Sequence, residues 1–287
     1  MLSIVTIVKQ DLVGFQRTRK SLEQQSFSRW EHIVVPSFPA DTSVEYAKAL
    51  SGRRTTVVIQ DGFGRYSAMN QGLALAAGEF VVFLNAGDEL ADEYSLEHVE
   101  KFLTGEKPKW AIFGGYVRGP SSQIRVRPLP GAQVRDIAFG RAGALHPSIY
   151  YHTKTLLELG GYDESFKIAG DLELNIRLTR EHEPLGVDKP VSIFYTGGIS
   201  TTKVLTTILE SSRARTLSME RSWVFYAQNF AVVCCQIFRA SLRRVFIFLL
   251  RLLASLTASK RTALDSNLKT KLRPMGKAST NRFWDGG

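Results

Sequence analysis

The chain has 287 residues, 44% hydrophobic and 22% charged, a balance that is typical of a folded globular protein and excludes a disordered one. Its formal net charge of +10 is unevenly distributed: residues 1–199 carry 22 Lys and Arg against 23 Asp and Glu, whereas residues 200–287 carry 15 against 4. The two parts are therefore expected to have different partners. Cys234 and Cys235 are adjacent, which fits neither a disulfide framework nor a zinc site and favours a reducing compartment. No signal peptide is expected, because residues 1–8 lack a basic start.

Residues 1–84 predict a regular alternation of strands and helices. The first strand, residues 2–8, is apolar and β-branched, as a central strand is expected to be. Three helices with one apolar face each are predicted between this strand and the next three, and Thr42 with Glu45 indicates a capping box at the second helix. The later strands are expected at residues 31–35, 55–59 and 80–84, and the helices at residues 12–23, 42–50 and 66–76. This alternation predicts a parallel sheet with right-handed crossovers.

Later in the chain the predicted elements become less regular. Asp92 is expected to cap a helix over residues 96–103, and residues 110–117 are expected to return as a strand. Residues 118–141 contain glycines, prolines and five arginines, which predicts a long mobile segment over the mouth of a crevice. Helical spacing then resumes at residues 172–180.

Two aspartates stand at junctions where a site is expected. Asp88 follows the apolar run of residues 80–84, and the carboxyl end of a central strand is where open α/β sheets bind ligands. The alternative is a carboxylate that caps a turn or the next helix. Asp171 stands at the start of the predicted helix over residues 172–180, where the helix dipole favours its charge, so a structural N-cap is the alternative there.

Several short stretches of the first 200 residues follow one another in a set order. They are residues 3–8 (SIVTIV), 66–72 (YSAMNQG) leading to 78–80 (GEF), 83–88 (FLNAGD), 146–151 (HPSIYY), 160–164 (GGYDE), Asp171 with 177–178 (RL), and 197–201 (GGIST). This ordered set resembles the family 2 glycosyltransferases, which are inverting enzymes with the nucleotide-sugar-binding GT-A fold. Its order and spacing look most like the bacterial branch that builds colanic acid and similar surface polysaccharides.

The resemblance implies a chemistry for both aspartates. The diphosphate that leaves a nucleotide-sugar donor needs a hard cation, and Mg²⁺ or Mn²⁺ is held by one carboxylate together with phosphate oxygens. Asp88 is the implied metal ligand. Asp171 matches the base that takes the proton of the acceptor hydroxyl, and a single in-line displacement inverts the anomeric centre.

The resemblance also implies roles for residues around these two. Those implied on the donor side, with Asp88, are Asp41, Arg65, Ser67, Asn85 and Gly87, and those implied near the acceptor or a closing loop are His146, Arg177, Gly197 and Gly198. The simpler alternatives are a helix cap for Asp41, a surface arginine for Arg65, a packed residue for His146 and a turn for the two glycines. The chain departs from the family where Ser67, Asn85 and Gly87 replace common acids and where residues 36–39 lack the acidic residue of the loop that holds the nucleoside. A degenerate, non-catalytic member therefore remains an alternative.

The basic C-terminal part predicts a membrane partner. Residues 222–238 are uncharged, but three amide side chains interrupt them, so a clean membrane span is not expected. In residues 238–253 four arginines fall on one side of a helical wheel and large apolar residues on the other. Such a helix is typical of one that lies in the membrane interface and meets anionic lipid, with packing on the sheet domain as the alternative. Nucleic acid is excluded as a partner, because no recognition motif accompanies the basic residues.

These inferences combine into one prediction. Residues 1–200 are expected to form an α/β GT-A domain with a mostly parallel central sheet, residues 201–257 amphipathic helices and residues 258–287 a disordered basic tail. The predicted function is the metal-dependent, inverting transfer of a sugar from a UDP- or GDP-sugar to a lipid-linked or glycan acceptor. This transfer is expected to serve bacterial surface polysaccharide synthesis on the cytoplasmic face of the cell membrane. A catalytically degenerate, membrane-associated scaffold is the alternative. A dinucleotide-dependent oxidoreductase is a second alternative, which the absence of a Gly-x-Gly-x-x-Gly after the first strand disfavours.

Overall fold

The computed structural model describes residues 1–38, 42–52, 54–198, 202–218, 225–239 and 241. Met1–Val233 form one compact unit and Cys234–Gly287 a second, of which residues 234–239 and 241 are described. The domain boundaries expected at residues 200 and 257 stay predictions. The arginine-bearing part of the basic helix, residues 242–253, and the tail expected at residues 258–287 lie outside the described residues.

The described strands and helices alternate along the chain up to residue 83. The strands are β1 (Leu2–Val8), β2 (Trp30–Pro36), β3 (Thr55–Val57), β4 (Phe80–Phe83), β5 (Glu89–Leu90), β6 (Trp110–Arg118), β7 (Gln123–Val126), β8 (Ile149–His152) and β9 (Leu185–Tyr195). The helices are α1 (Leu12–Glu23), α2 (Ser43–Ala49), α3 (Arg65–Ala74), α4 (Ser95–Glu106), α5 (Val134–Ala138), α6 (Thr153–Glu158), α7 (Gly170–Glu181) and α8 (Val204–Ser218), with a 3-10 turn at His146–Ser148. Residues 225–239 are also helical. None of the described helices is long and apolar enough to cross a membrane.

The described strands form one mixed sheet in the order β3-β2-β1-β4-β8-β6-β9-β5, with β7 paired to β6. The pairs β2–β3, β1–β2 and β1–β4 are parallel, as the alternation predicts, because α1, α2 and α3 supply the crossovers that parallel neighbours need. β8 runs antiparallel to both β4 and β6. It follows the long excursion through β7 and α5, so no crossover helix sets its direction. Parallel pairing occurs in two parts of the sheet, among β1 to β4 and between β6 and β9.

The segment over residues 118–141 contains regular secondary structure, whereas its predicted mobility stays a prediction. It contains β7, which pairs antiparallel with β6, and α5, whose Gln133 and Asp136 form a capping box. Ala132 and Ile137 are buried in the main core. The glycines and prolines lie between these short elements, so they delimit secondary structure here and do not prevent it.

Two predicted helix caps differ in detail from the structure. Thr42 occupies the N-cap position of α2 but makes no side-chain cap hydrogen bond, so the predicted capping box is absent there. Asp92 stands three residues before α4 and accepts hydrogen bonds from the Tyr94 N–H at 3.0 Å and the Ser95 hydroxyl at 2.8 Å. It therefore orders the turn before the helix, whose N-cap residue is Tyr94.

Strand β4 lies at the centre of the sheet and positions the candidate site. All four of its residues are buried, which confirms the prediction of a strand covered on both faces. Its side chains divide between two cores, one shared with α3 and α7 and the other with α1 and α4. The carboxyl end of β4, next to that of β1, opens into the turn that carries Asp88.

Candidate active site

The turn after β4 is held by α1. The Asp88 N–H donates to the Asn85 carbonyl at 3.0 Å, and Gly87 has a φ of 102°, which a residue with a side chain rarely adopts. The Thr18 hydroxyl of α1 donates to the Asp88 carbonyl at 2.6 Å and accepts from the Gly87 N–H at 3.1 Å. Gly87 is therefore required by the shape of the turn, and Thr18 fixes the turn against the helix.

Asp88 is a buried carboxylate with little compensation. Its residue is 6% exposed, and its Oδ1 accepts one long hydrogen bond, of 3.4 Å, from the Tyr195 N–H at the end of β9. Burial raises the pKa of Asp88 from 3.8 to about 7, against the opposing effects of that hydrogen bond and of the Arg17 guanidinium. Arg17 itself lies over the Tyr195 ring at 4.0 Å and is paired with Glu89 at 3.3 Å. The carboxylate of Asp88 would therefore be stabilised by an added cation.

The donor atoms of this turn fit a hard divalent ion. The Asn85 Oδ1 is buried and has no hydrogen-bond partner among the residues that the structure describes, and together with the Asp88 carboxylate it offers the oxygen ligands that Mg²⁺ and Mn²⁺ prefer. No group of three or more His, Cys, Asp or Glu that could hold a metal occurs among the described residues.

Asp171 lies at the start of α7, on a backbone that Tyr66 holds in place. The Tyr66 hydroxyl accepts from the Gly170 N–H at 2.8 Å and the Asp171 N–H at 3.3 Å, and it donates to the Ile168 carbonyl at 2.5 Å. A Cβ on Gly170 would lie 2.7 Å from the Tyr66 ring, so glycine is needed for this approach. The N-cap residue of α7 is Ala169, so Asp171 is not the structural N-cap. Its carboxylate lies in the first turn, where the helix dipole favours negative charge.

His146 connects the turn after β4 to the start of α7. Its Nδ1 lies 3.5 Å from the Asn85 Nδ2, and its Nε2 lies 3.1 Å from the Tyr162 hydroxyl. Tyr162 in turn stacks on Tyr66 at 5.2 Å between ring centroids. Burial lowers the pKa of His146, whereas the nearby charge of Asp171 raises it. A neutral imidazole accepts from Asn85 on Nδ1 and donates to Tyr162 from Nε2, so His146 acts as a packed, hydrogen-bonded link between the two halves of the site.

Of the three other predicted donor-side residues, Arg65 and Ser67 lie in α3. Arg65 begins α3, and its positive charge acts on both Tyr66 and His146. No carboxylate in the described part of the chain lies within ion-pair distance of Arg65, so its guanidinium is available to an anion. Ser67 packs against Gly62, where a Cβ would lie 2.1 Å from the Ser67 hydroxyl. Asp41 lies outside the described residues.

Of the predicted acceptor-side residues, Arg177 lies in α7, and Gly197 and Gly198 lie in the loop after β9. Arg177 donates to the carbonyls of Leu159 and Gly161 at 2.6 and 2.7 Å. It also pairs with the Glu173 carboxylate at 2.9 Å. These contacts tie α7 to the turn before it and make Arg177 a positioning residue; a contact with an acceptor stays a prediction. Gly197 has a φ of 108° after β9, and residues 199–201 of that loop lie outside the described residues.

The sequence patterns do not single out Thr18 and Tyr195, which shape the environment of Asp88. The only signal for Thr18 is a polar residue on the buried face of a predicted helix. Tyr195 ends the apolar run of β9, and its hydroxyl donates to the Glu89 carboxylate at 3.0 Å. Both act through contacts between residues far apart in the chain, which local spacing does not encode.

Comparison with known proteins gives one consistent result. The sequence model described as glycosyl transferase family 2 matches residues 3–156. A Mycobacterium tuberculosis protein described as an uncharacterized glycosyltransferase is 31% identical over 199 residues, which cover 69% of this chain and 76% of the relative. The crystal structure of S. aureus TarS 1–349 in complex with UDP-GlcNAc is 16% identical with a TM-score of 0.60, covering 82% of this chain and 71% of that one. The mannosyltransferase PcManGT from Pyrobaculum calidifontis in complex with GDP-Man and Mn²⁺ is 14% identical with a TM-score of 0.55, covering 84% and 75%.

Proposed function

The chain belongs to glycosyltransferase family 2 and has the GT-A fold, and from this premise we propose that it transfers a sugar, with inversion, from a UDP- or GDP-sugar to a lipid-linked or glycan acceptor. The observation that carries the proposal is the buried carboxylate of Asp88 beside the unpartnered Asn85 oxygen, linked through His146 to the helix start that bears Asp171. The nucleotide sugars bound by TarS and PcManGT support this class of donor.

On the donor side, Asp88 and Asn85 are the residues that would hold Mg²⁺ or Mn²⁺. Such an ion, when bound, offsets the negative charge that grows on the leaving diphosphate. Thr18 and Gly87 keep the two oxygens in one turn, so little ordering is needed when the donor binds. Arg65, with no ion-pair partner in the described part of the chain, is assigned to the diphosphate.

On the acceptor side, Asp171 is the proposed general base. The hydroxyl oxygen of the acceptor bonds to the anomeric carbon on the face opposite the diphosphate, the bond between that carbon and the diphosphate oxygen breaks, and the hydroxyl proton passes to the Asp171 carboxylate. Tyr66 holds the backbone of Gly170 and Asp171, so it fixes where the carboxylate stands. One displacement of this kind inverts the configuration of the sugar.

We also propose that the chain works at the cytoplasmic face of an anionic membrane. Residues 200–287 carry 15 Lys and Arg against 4 Asp and Glu, and each basic residue near such a surface contributes about 1 kcal/mol. Leu205 and Leu209 of α8 are 53% and 56% exposed, one helical turn apart. Phe230 is 72% exposed. These side chains support contact with the apolar part of a lipid interface.

Calorimetric titration with UDP and GDP, with and without Mn²⁺, tests the donor half of the proposal. One nucleotide is expected to bind, more tightly with Mn²⁺, and Asp88→Asn is expected to remove the effect of Mn²⁺. Glu106→Gln, an exposed position at the end of α4, is the control and is expected to bind as the unaltered chain does. Binding of neither nucleotide would favour a catalytically degenerate scaffold.

A further inference from the structure

A cavity lies next to the first turns of α7, the helix that bears Asp171. It has a volume of about 250 Å³ and is lined by Val126 of β7, Ile137 of α5, Leu145 and Leu172, with small residues of the loop over residues 140–144 completing the wall. An apolar cavity of about 150 Å³ holds a benzene molecule. The space is therefore large enough for an aromatic ring or a short alkyl segment.

The cavity adjoins the groups assigned to the acceptor. Leu172 follows Asp171 directly, and its N–H donates to the Asp171 Oδ1 at 2.9 Å, so the carboxylate is turned toward the backbone of a lining residue. Leu145 directly precedes His146. Two residues of the cavity wall, Leu145 and Leu172, are therefore direct chain neighbours of His146 and Asp171.

Three polar groups of the wall already have hydrogen-bond partners within the protein. The Asn175 Oδ1 accepts from the Tyr151 hydroxyl at 2.8 Å. The Gly140 N–H donates to the Ile137 carbonyl at 3.1 Å, and the Ala142 N–H donates to the Asp136 carbonyl at 3.2 Å. A sugar ring placed here would lose hydrogen bonds from its hydroxyls to water without regaining them from these groups, whereas an apolar group would lose none.

We propose that this cavity binds an apolar aglycone of the acceptor, an aromatic ring or a short alkyl segment, attached next to the hydroxyl that receives the sugar. The inference rests on the proposed function for the identity of the nearby base. It selects a lipid-like acceptor over a purely glycan one, because the fit depends on apolar surface and not on hydroxyl recognition.

The test compares 4-nitrophenyl and methyl glycosides of glucose, galactose, mannose and N-acetylglucosamine by calorimetric titration of the full chain. At least one 4-nitrophenyl glycoside is expected to bind tenfold or more tightly than its methyl counterpart. Methyl disaccharides of the same sugars are titrated alongside. Equal affinities across all four pairs would overturn the proposal, and tighter binding of a methyl disaccharide than of any 4-nitrophenyl glycoside would overturn it in favour of a glycan occupant.

Two occluding variants and one control locate the effect. Ala144 is exposed and lines the cavity, so Ala144→Trp is expected to abolish the preference without a lower unfolding temperature. Val126→Phe fills the cavity from β7 and is also expected to abolish the preference for 4-nitrophenyl glycosides. Ala74 is exposed at the last residue of α3, so the control Ala74→Trp is expected to retain the preference for 4-nitrophenyl glycosides. A preference that persists in both occluding variants would contradict this location.

Binding of UDP and GDP, measured on the same samples, separates this proposal from the proposed function. Nucleotide binding that is unchanged in Ala144→Trp, with the glycoside preference lost, supports both. A chain that binds neither nucleotide yet prefers 4-nitrophenyl glycosides would leave the cavity assignment standing and remove the proposed function. A chain that binds a nucleotide but shows no preference for 4-nitrophenyl glycosides would leave the proposed function standing and remove the cavity assignment.

Discussion

Replacing Asp88 by asparagine is expected to stabilise the metal-free protein at pH 8. The folded state holds the pKa of Asp88 at about 7, whereas the unfolded chain returns it to 3.8. Between these values the folded state binds more protons than the unfolded state, so the free energy of unfolding falls as pH rises from about 4 to about 7. Above pH 7 the buried carboxylate is ionised and its full cost is present.

The magnitude follows from the size of the shift. About three pKa units at 1.36 kcal/mol each give up to about 4 kcal/mol, which is a large fraction of the stability of a typical domain. For a compact unit of this size the corresponding rise in unfolding temperature is about 10 °C. Below pH 4 the two proteins should be equally stable, because the carboxyl group is then neutral in both states.

Differential scanning calorimetry in EDTA at pH 4, 6 and 8 measures this dependence. Asp88→Asn should unfold at a higher temperature than the unaltered chain at pH 8 and at a similar temperature at pH 4, and Glu106→Gln should show no such pattern. Added Mn²⁺ should raise the unfolding temperature at pH 8 only where Asp88 is present. An asparagine variant that is no more stable at pH 8 would refute the assignment of Asp88 as an uncompensated buried carboxylate.

Three further outcomes are expected. Burial, with a smaller effect of Arg19, lowers the pKa of His32 from 6.5 to about 3, so the free energy of unfolding is highest above pH 6.5 and falls as the pH is lowered. In urea titrations, the unaltered chain should lose about 3 kcal/mol more of this free energy between pH 7.5 and pH 4.5 than His32→Gln does. Equal losses in the two proteins would contradict this. Tyr66→Phe should lower the free energy of unfolding by about 1–3 kcal/mol, because the Gly170 N–H loses its acceptor. The same variant should reduce kcat more than it changes the KM for the donor. An unchanged kcat would argue against Tyr66 as the residue that positions Asp171. Replacing Arg243, Arg244 and Arg251 by glutamine in the full chain should lower its affinity for phosphatidylglycerol vesicles, measured by flotation, by about 100-fold, at about 1 kcal/mol per arginine. An affinity that the substitutions leave unchanged would place the lipid contact elsewhere.

The part of the fold that depends on local pattern could be predicted from the sequence. The apolar run of β4 and its position before Asp88 follow from five consecutive apolar residues, and the parallel order of β1 to β4 follows from the alternation with α1, α2 and α3. Asp171 at the start of α7 follows from helical spacing. Each of these features is decided by residues close in the chain.

The contacts that make the site could not be predicted in this way. His146 meets Asn85 across 61 residues and Tyr162 across 16, and Tyr66 meets Gly170 across 104, so no spacing rule contains them. Arg177 has the charge of a ligand-binding residue, but its hydrogen bonds to Leu159 and Gly161 give it a structural use that only the folded chain reveals. Strand β7 likewise depends on its pairing with β6.

The role of Asp171 as the base is tested most directly by the release of nucleoside diphosphate from UDP- and GDP-sugars in the presence of a bacterial lipid extract. Asp171→Asn is expected to abolish the acceptor-dependent release while calorimetry shows unchanged donor affinity, because asparagine keeps the side-chain oxygen that the Leu172 N–H meets but cannot take a proton at neutral pH. Asp163→Asn, a carboxylate whose Oδ1 accepts from the Ser165 N–H in a turn before α7, is the matched control and is expected to retain release. Full acceptor-dependent release by Asp171→Asn would contradict the assignment of the base.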